Sequence, residues 1–510
     1  MLAKVLSLGI RGIEAYPVEI EVDISAGLPA VTIVGLPDTV VKESKERVKS
    51  AIRNSGFQWP AERITVSLVP CDIKKDGTSF DLAIALGILA ASGQMASQRL
   101  TEHYVLGELS LDGSLRPIRG ILPLSIAASA TAVKNIICPR YNAKEAALAS
   151  GITPWPVNSL KEVLAYLHDP LMLKPCVIDP YELLKQKRQY AVDFCEVKGQ
   201  HHAKRALEVA VSGGHNVLMV GPPGSGKTML AKRVVSIMPE MNLQEALEVT
   251  KIHSVMGTSL AKDGIASMRP FRAPHHNASD VALIGGGQAP QPGEISLAHQ
   301  GILFLDELPE FRRDALEALR QPLEDGTIRV SRINGSFVFP ASFMLICAMN
   351  PCPCGTQYKH KNSCRCSTTQ IARYRAKISG PLLDRIDIHI EVPPARYQDL
   401  TSNLPAESSV QIKEEVNKAR AIQRERLKDE GIMCNAQMSH KQVRKFCVLG
   451  KEESELLKMA MTELNFSARA YDKILKVSRT IADLAGNENI KTEHLSEAIQ
   501  YRSLDRNWWG

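Results

Sequence analysis

The chain has 510 residues, 44% hydrophobic and 23% charged, with 62 Lys and Arg against 55 Asp and Glu. These are ordinary globular values, and they exclude a mostly disordered chain, a collagen-like repeat and a small disulfide scaffold. The net charge of +7 permits nucleic acid or an acidic partner and requires neither. The apolar, uncharged stretch 82–98 is broken by Gly and Ser and falls short of the ~20 apolar residues that cross a bilayer. Lys4 and Arg11 bracket only about six apolar residues with no small-residue cleavage site behind them, so no secretory signal is read either. A reducing cytoplasm is the expected compartment, and no membrane partner is expected. Eleven cysteines spread over so long a chain do not make a disulfide framework.

In chain order, residues 18–24, 30–34 and 64–69 read as strands. Residues 38–54 carry Val41, Val48 and Ile52 at helical spacing. Thr78 is placed to cap a helix running to Ala91, with Asp81 at the capping-box position. Residues 1–168 therefore read as an α+β domain. Residues 169–190 hold three X-Pro pairs (Asp169-Pro170, Lys174-Pro175, Asp179-Pro180) and a basic run at 185–188. Backbone before proline is pushed out of the helical region, so 169–192 is predicted as an extended linker. Within 193–396, apolar runs at 217–220, 302–305 and 343–348 alternate with helical stretches, the pattern of a parallel sheet with crossover helices. From 397 to 510 the pattern is helical throughout, over 410–430, 451–461, 468–485 and 492–501.

The run Gly221-Pro222-Pro223-Gly224-Ser225-Gly226-Lys227-Thr228 follows a strand-like segment and precedes a helical one. This is a P-loop in its required context. Glycines let successive N–H groups turn toward a β-phosphate, Lys227 supplies a charge to the β- and γ-phosphates, and the Thr228 hydroxyl suits Mg²⁺. The apolar run 301–305 ends in Asp306 and Glu307, about 80 residues after the P-loop. Asp306 would hold Mg²⁺ through water, and Glu307 would polarise the water attacking the γ-phosphate of ATP. A third apolar run ends at Asn350, which is either a polar sensor beside the γ-phosphate or a turn residue before Pro351.

Cys352-Pro-Cys354 and Cys364-Arg-Cys366 form two pairs whose four thiolates can close a tetrahedral Zn²⁺ site. The more usual spacing is Cys-x₂-Cys, and His360 offers a substitute ligand. A labile disulfide and free thiols are the alternatives. His275-His276 reads as a structural or interface feature.

Walker A, an Asp-Glu Walker B and a polar sensor followed by helices resemble an AAA+ ATPase. Four further segments are similar to its magnesium-chelatase-like branch: Ala278-Ser-Asp-Val-Ala-Leu-Ile-Gly-Gly-Gly287, Pro292-Gly-Glu-Ile-Ser-Leu-Ala-His299, Asp306-Glu-Leu-Pro-Glu-Phe311 and Gly380-Pro-Leu-Leu-Asp-Arg385. With the N-terminal segment, nearly the whole chain resembles the YifB/ComM family. That resemblance implies a multidomain α/β protein: a Lon-protease-like α+β domain of the ribosomal S5 domain 2 type (1–168), a linker (169–192), an AAA+ domain (193–396) and a helical lid (397–510). It implies a hexameric motor with active sites between subunits, acting on DNA as a helicase in branch migration. A chelatase-type remodeller of a metal-insertion partner is the rival. Arg385 matches an arginine finger, against the alternative of a salt bridge to Asp384 or Asp387, and Arg469 matches the lid arginine that senses nucleotide.

Residues 327–339 alternate around Asn334-Gly335, a strong hairpin signal. In this branch such a hairpin projects into the ring's pore, which makes Arg329 and Arg332 candidate DNA contacts. The glycine-rich stretch 284–288 belongs to the other inserted region. Residues 359–385 hold seven Lys or Arg and one acid, Asp384, an excess suited either to phosphates or to a solvated face. Lys75-Asp-Gly-Thr-Ser79 and the segment 107–118 resemble the proteolytic domain of Lon, with Ser79 at the nucleophile position. Leu122 stands where Lon has its lysine, and the next lysine is Lys134. Serine without a base is a weak nucleophile, so an ATP-dependent protease is disfavoured. The same domain type, also without the dyad, occurs in RadA-like recombination proteins.

Overall fold

The computed structural model describes residues 1–185, 190–258, 264–287, 290–332, 335–355, 364–394, 398, 407–464 and 466–504. The N-terminal region is built on a hairpin. Strand β1 (Leu2–Arg11) pairs antiparallel with β2 (Glu14–Ser25) along its whole length. Around them lie β3 (Ala30–Val34), β4 (Arg63–Val69), β5 (His103–Val105), β8 (Asn135–Pro139) and β9 (Thr153–Val157). Together they make a seven-stranded mixed sheet in the order β3-β4-β2-β1-β5-β8-β9. The apolar stretch between Lys4 and Arg11 is thus a central strand. A short ribbon of β6 (Glu108–Leu109) and β7 (Leu115–Arg116) stands apart. Helix Asp81–Ala91 is buried on every side, as its uninterrupted apolar sequence requires. It lies so close on the sheet that a Cβ on Gly87 would sit 2.6 Å from Val22 Cγ2.

Two local expectations are corrected. Thr78 does not cap that helix: its hydroxyl donates to Glu108, and Asp81 instead accepts from the Arg47 guanidinium at 2.9 Å. A buried carboxylate is better satisfied by a charged partner than by a capping role. The segment 169–192 is not simply extended. Asp169 accepts from the Leu171 N–H ahead of a 3₁₀ turn, and Asp179 from the Tyr181 N–H ahead of the helix Pro180–Lys185. Proline is well tolerated in a first helical turn, so two of the three Asp/Lys-Pro pairs start helices. Leu183 and Leu184 pack against a cluster containing Leu122, Met241 and Val249. Of the basic run, residues 186–188 lie outside the described residues.

The second sheet contains β10 (Val217–Val220), β11 (Phe271–Arg272), β14 (Ile302–Leu305), β17 (Met344–Met349) and β18 (Ile388–Glu391). All run parallel, in the order β11-β14-β17-β10-β18. The parallel sheet expected from three apolar runs is present, and two further strands extend it. Two ribbons project from it: β12 (Gly285–Gly286) with β13 (Gln291–Pro292), and β15 (Thr327–Arg332) with β16 (Gly335–Pro340). Asn334 lies outside the described residues.

Among the described residues the C-terminal region is helical: Ser409–Leu427, His440–Phe446, Lys451–Glu463, Ala468–Leu484 and Thr492–Gln500. The helix His440–Phe446 was not anticipated, being only seven residues long. Ile412, Val416, Ile474 and Ile481 share one core with Met219 and Ile346 of the sheet. No helix among the described residues is long and apolar enough to cross a membrane.

One buried ion pair fastens this helical region to the sheet. Lys473 Nζ stands 3.1 Å from Asp387, and His215 lies on the carboxylate's other side at 3.5 Å. Burial pushes the Asp387 carboxyl up, but Lys473 and His215 outweigh it and hold the group well below the usual range. Burial brings the Lys473 ammonium down to about 8. Removing Lys473 leaves the buried Asp387 carboxylate with His215 and the Asn216 N–H but without its nearest full charge. Lys473→Met should lower stability in urea unfolding by about 3 kcal/mol, and Asp387→Leu added to it should recover most of the loss.

Candidate nucleotide-binding site

The sheet order decides what can meet. β17 lies between β10, which carries the P-loop, and β14, which carries Asp306 and Glu307. Their carboxyl ends therefore bring the three sequence-predicted elements to one edge, the usual place for a ligand in an open α/β sheet. The loop curls through Gly224 at φ +78° and Gly226 at φ +92° into the helix Lys227–Ile237. A Cβ on either glycine would meet nothing within 4 Å, so the backbone borders open space. The first-turn N–H groups of that helix have no intrahelical acceptor and suit an anion.

Lys227 donates to the carbonyls of Gly221 (2.7 Å) and Pro222 (3.0 Å) and to Asn350 Oδ1 (3.3 Å). Burial lowers its pKa, against the opposing pull of Asp306 and Glu307. An ammonium partly stripped of water gains from an arriving anion. Thr228 Oγ1 donates to Asp306 Oδ2 at 2.6 Å, placing two hard oxygen donors side by side as Mg²⁺ requires. Glu307 has φ +53°, a backbone conformation costly for a non-glycine residue and concentrated at functional sites. A cavity of about 420 Å³ joins Pro223–Met229 to Asp306, Glu307, Met349 and Asn350.

His276 Nδ1 stands 3.3 Å from Glu307 Oε2. Sequence reading gives the His275-His276 pair a structural or interface role, and the contact of His276 with Glu307 spans 31 residues of chain. It follows β11, and β11 neighbours β14 in the sheet, which is what brings the two together. Gln200 is also newly placed: its amide donates to the carbonyls of Ser225 and Pro393 and ties the P-loop to the chain after β18.

Arg385 and Arg469 stand elsewhere. Arg385 precedes β18, and its carbonyl accepts from Asn216, the residue before β10. Both positions are at the amino ends of the parallel strands, at least the length of β10, roughly 13 Å, from the same chain's P-loop. The Arg385 guanidinium pairs with Glu324 rather than with Asp384 or Asp387, and Arg469 pairs with Asp384 at 3.1 Å. The two arginines thus belong to one face, opposite the loop.

The four clustered cysteines come together, with every Sγ within 4.8 Å of the others. The Sγ–Sγ separations are 3.4 Å for Cys352–Cys354, 3.7 Å for Cys352–Cys364 and 3.6 Å for Cys354–Cys364. A tetrahedron with Zn–S bonds of about 2.3 Å has edges of about 3.8 Å, whereas a disulfide needs about 2.05 Å. The set, with Cys366, fits a closed four-thiolate site. Its loop rests on the P-loop: a Cβ on Gly355 would lie 2.6 Å from Pro223 Cδ. His360, Lys359 and Lys361 lie outside the described residues. Elsewhere in the basic stretch, Lys377 pairs with Glu310 at 3.2 Å and Arg375 donates to the Pro351 carbonyl, so it is no uniform phosphate-facing strip. Arg329 and Arg332 are exposed on the hairpin. Ser79 receives no new support: Leu122 is fully buried, and the buried Lys75 gives its ammonium to the carbonyls of Pro70 and Ile73.

Fold and site define a P-loop nucleotide-binding protein of the AAA+ class, with its loop on an inner strand of a five-stranded parallel sheet. Residues 193–400 match the family description "Magnesium chelatase, subunit ChlI", residues 20–142 "Subunit ChlI of Mg-chelatase" and residues 406–502 "Magnesium chelatase, subunit ChlI C-terminal". The chain is 44% identical to the competence protein ComM of Haemophilus influenzae, over 99% of this chain and 98% of that one. It is 42% identical to the protein YifB of Escherichia coli, over 97% and 96%. Likeness to the magnesium-chelatase 67 kDa subunit of Chlorobaculum tepidum is 29% over 31% of this chain and 23% of that one. The chain belongs to the YifB/ComM family of magnesium-chelatase-like AAA+ proteins.

Proposed function

We propose that this protein is an ATP-hydrolysing ring motor, hexameric by its family resemblance, that translocates on DNA in the cytoplasm and drives branch migration in recombination or natural transformation. The observation that carries the reading is the division of the site between two edges of one sheet. The P-loop, Asp306, Glu307 and Asn350 are at the carboxyl edge, and Arg385 and Arg469 at the amino edge. Neither edge suffices alone, and two protomers stacked edge to edge complete it. The competence name of the Haemophilus relative favours DNA as the track.

In this reading the loop N–H groups and Lys227 bind the phosphates of ATP. Thr228 and Asp306 would hold Mg²⁺, which would supply charge neutralisation to the phosphates. Glu307 orients the attacking water and takes up its proton, and Asn350 fixes the polar edge of the same cavity. A neighbour's Arg385 stabilises charge on the transferring phosphoryl group, a contribution of about 10³–10⁵ in rate. Arg469 of the same neighbour reads the nucleotide. Arg329 and Arg332 touch the DNA backbone. The Lon-like N-terminal domain serves assembly or DNA binding. Cys352, Cys354, Cys364 and Cys366 would hold a Zn²⁺ that braces their loop and supplies no chemistry to the reaction.

ATPase rate with and without branched DNA at two salt concentrations tests the whole reading. Stimulation that fades with salt supports it; hydrolysis indifferent to DNA turns it toward a chelatase-type remodeller. Glu307→Gln should bind ATP and turn it over at least 100-fold more slowly, and retained hydrolysis removes the assigned role. Doping Arg385→Ala protein into wild type should depress ATPase below the wild-type fraction; strict proportionality rules out action between subunits. Metal analysis should find one zinc per chain, lost in Cys352→Ser with Cys364→Ser.

A further inference from the structure

The backbone of Arg385 is fixed more firmly than its side chain. Its N–H donates to the Leu382 carbonyl at 2.9 Å, and its carbonyl accepts from the Asn216 amide at 2.9 Å. In the guanidinium, Nη1 donates to the Pro381 carbonyl at 2.6 Å and Nη2 to the Glu324 carboxylate, while the buried Nε finds no acceptor among the described residues. An unsatisfied buried N–H is a cost that a different pose can remove. The two ion-pair partners differ in exposure: the Arg385 side chain is 11% exposed and that of Glu324, on the helix Arg320–Asp325, is 56% exposed. A carboxylate so open to water loses little when its partner leaves. There is room to leave. A cavity of about 760 Å³ between the amino edge of the sheet and the C-terminal helices is lined by Arg385 and Glu324 together with Arg420, Arg424 and Lys476.

We propose that Glu324 is a resting partner that keeps Arg385 from a neighbour's phosphates, and that hydrolysis requires the guanidinium to exchange this carboxylate for the phosphoryl group. The inference rests on the reading of Arg385 as a finger acting between subunits. A guanidinium beside a carboxylate presents little net charge to a third ion, so in the observed pose it stabilises no transition state. A triphosphate carries more charge than one carboxylate and takes the N–H edge of arginine in the same paired geometry, so the exchange is favourable once a neighbour's nucleotide arrives. Glu324 is thus a positioning residue that acts only through Arg385. Its cost falls on the site of the adjoining subunit rather than on its own.

The test is the steady-state ATPase of the full-length protein. Breaking a half-exposed ion pair frees the arginine by about two- to fivefold, so Glu324→Gln and Glu324→Ala should each raise kcat by that factor and leave KM for ATP near the wild-type value. Asp325→Asn removes an equal charge from the next residue of the same helix, which accepts from Gln321, and should leave kcat unchanged. In the Arg385→Ala background, Glu324→Gln should change nothing. The effect should also cross the interface: protein carrying both Glu307→Gln and Glu324→Gln, doped into wild type, should give a higher rate per wild-type protomer than Glu307→Gln alone. A kcat that stays level or falls in both Glu324 variants overturns the proposal. So does an equal rise in Asp325→Asn, a rise that persists without Arg385, or equal rates in the two doping series. Arg385→Ala protein that hydrolyses ATP at the wild-type rate overturns the finger reading itself.

Discussion

Five strands running the same way give a sheet two chemically different edges, and the arrangement of this site depends on that difference. At the carboxyl edge the chain leaves β10, β14 and β17 in loops that carry Lys227, Asp306, Glu307 and Asn350. At the amino edge it enters β18 past Arg385. A parallel sheet needs a crossover between neighbours, so residues far apart in sequence arrive at one edge and adjacent motifs can be divided between two. Lys227 and Asn350 are 123 residues apart and within 3.3 Å. Arg385 and Asp387 are near neighbours of β18 in sequence and still sit across the sheet from the phosphate loop.

The domains of this protein are held by shared cores more than by linkers. The C-terminal helices bury their apolar faces on the same cluster as the parallel sheet, and the Lys473–Asp387 pair fixes their register against its amino edge. At the other end, Leu122 and Leu148 meet Met241 and Val249, and the Gly120 N–H donates to the Ser254 carbonyl. Ile13 enters the hairpin's own cluster. The cysteine loop adds a local brace, since Gly355 leaves no room between it and Pro223.

Much of this was legible from sequence because the signals are local. The P-loop needs glycines at fixed offsets, a buried strand needs an apolar run, and both are written in consecutive residues. The expectations that failed were local too, but had competitors that only packing could rank. Thr78 lost the capping role because Asp81 is buried and satisfied by Arg47. The proline-rich segment folded into short helices because Asp169 and Asp179 cap them and Leu183 and Leu184 find an apolar surface. β1 was missed because six apolar residues look the same in a strand, a short helix or a leader fragment.

By itself, then, the order of residues determined the chemistry available: a phosphate loop, two carboxylates, an asparagine, two arginines and four thiols. Tertiary structure decided which of these face one another. It set His276 on Glu307 because β11 pairs with β14, drew four sulfurs into a tetrahedron's spacing, turned Arg385 to the far edge, and laid Arg11 against Phe337 of the projecting hairpin. Such meetings follow from strand order and from buried apolar surface summed over whole clusters, quantities that no short window of sequence contains.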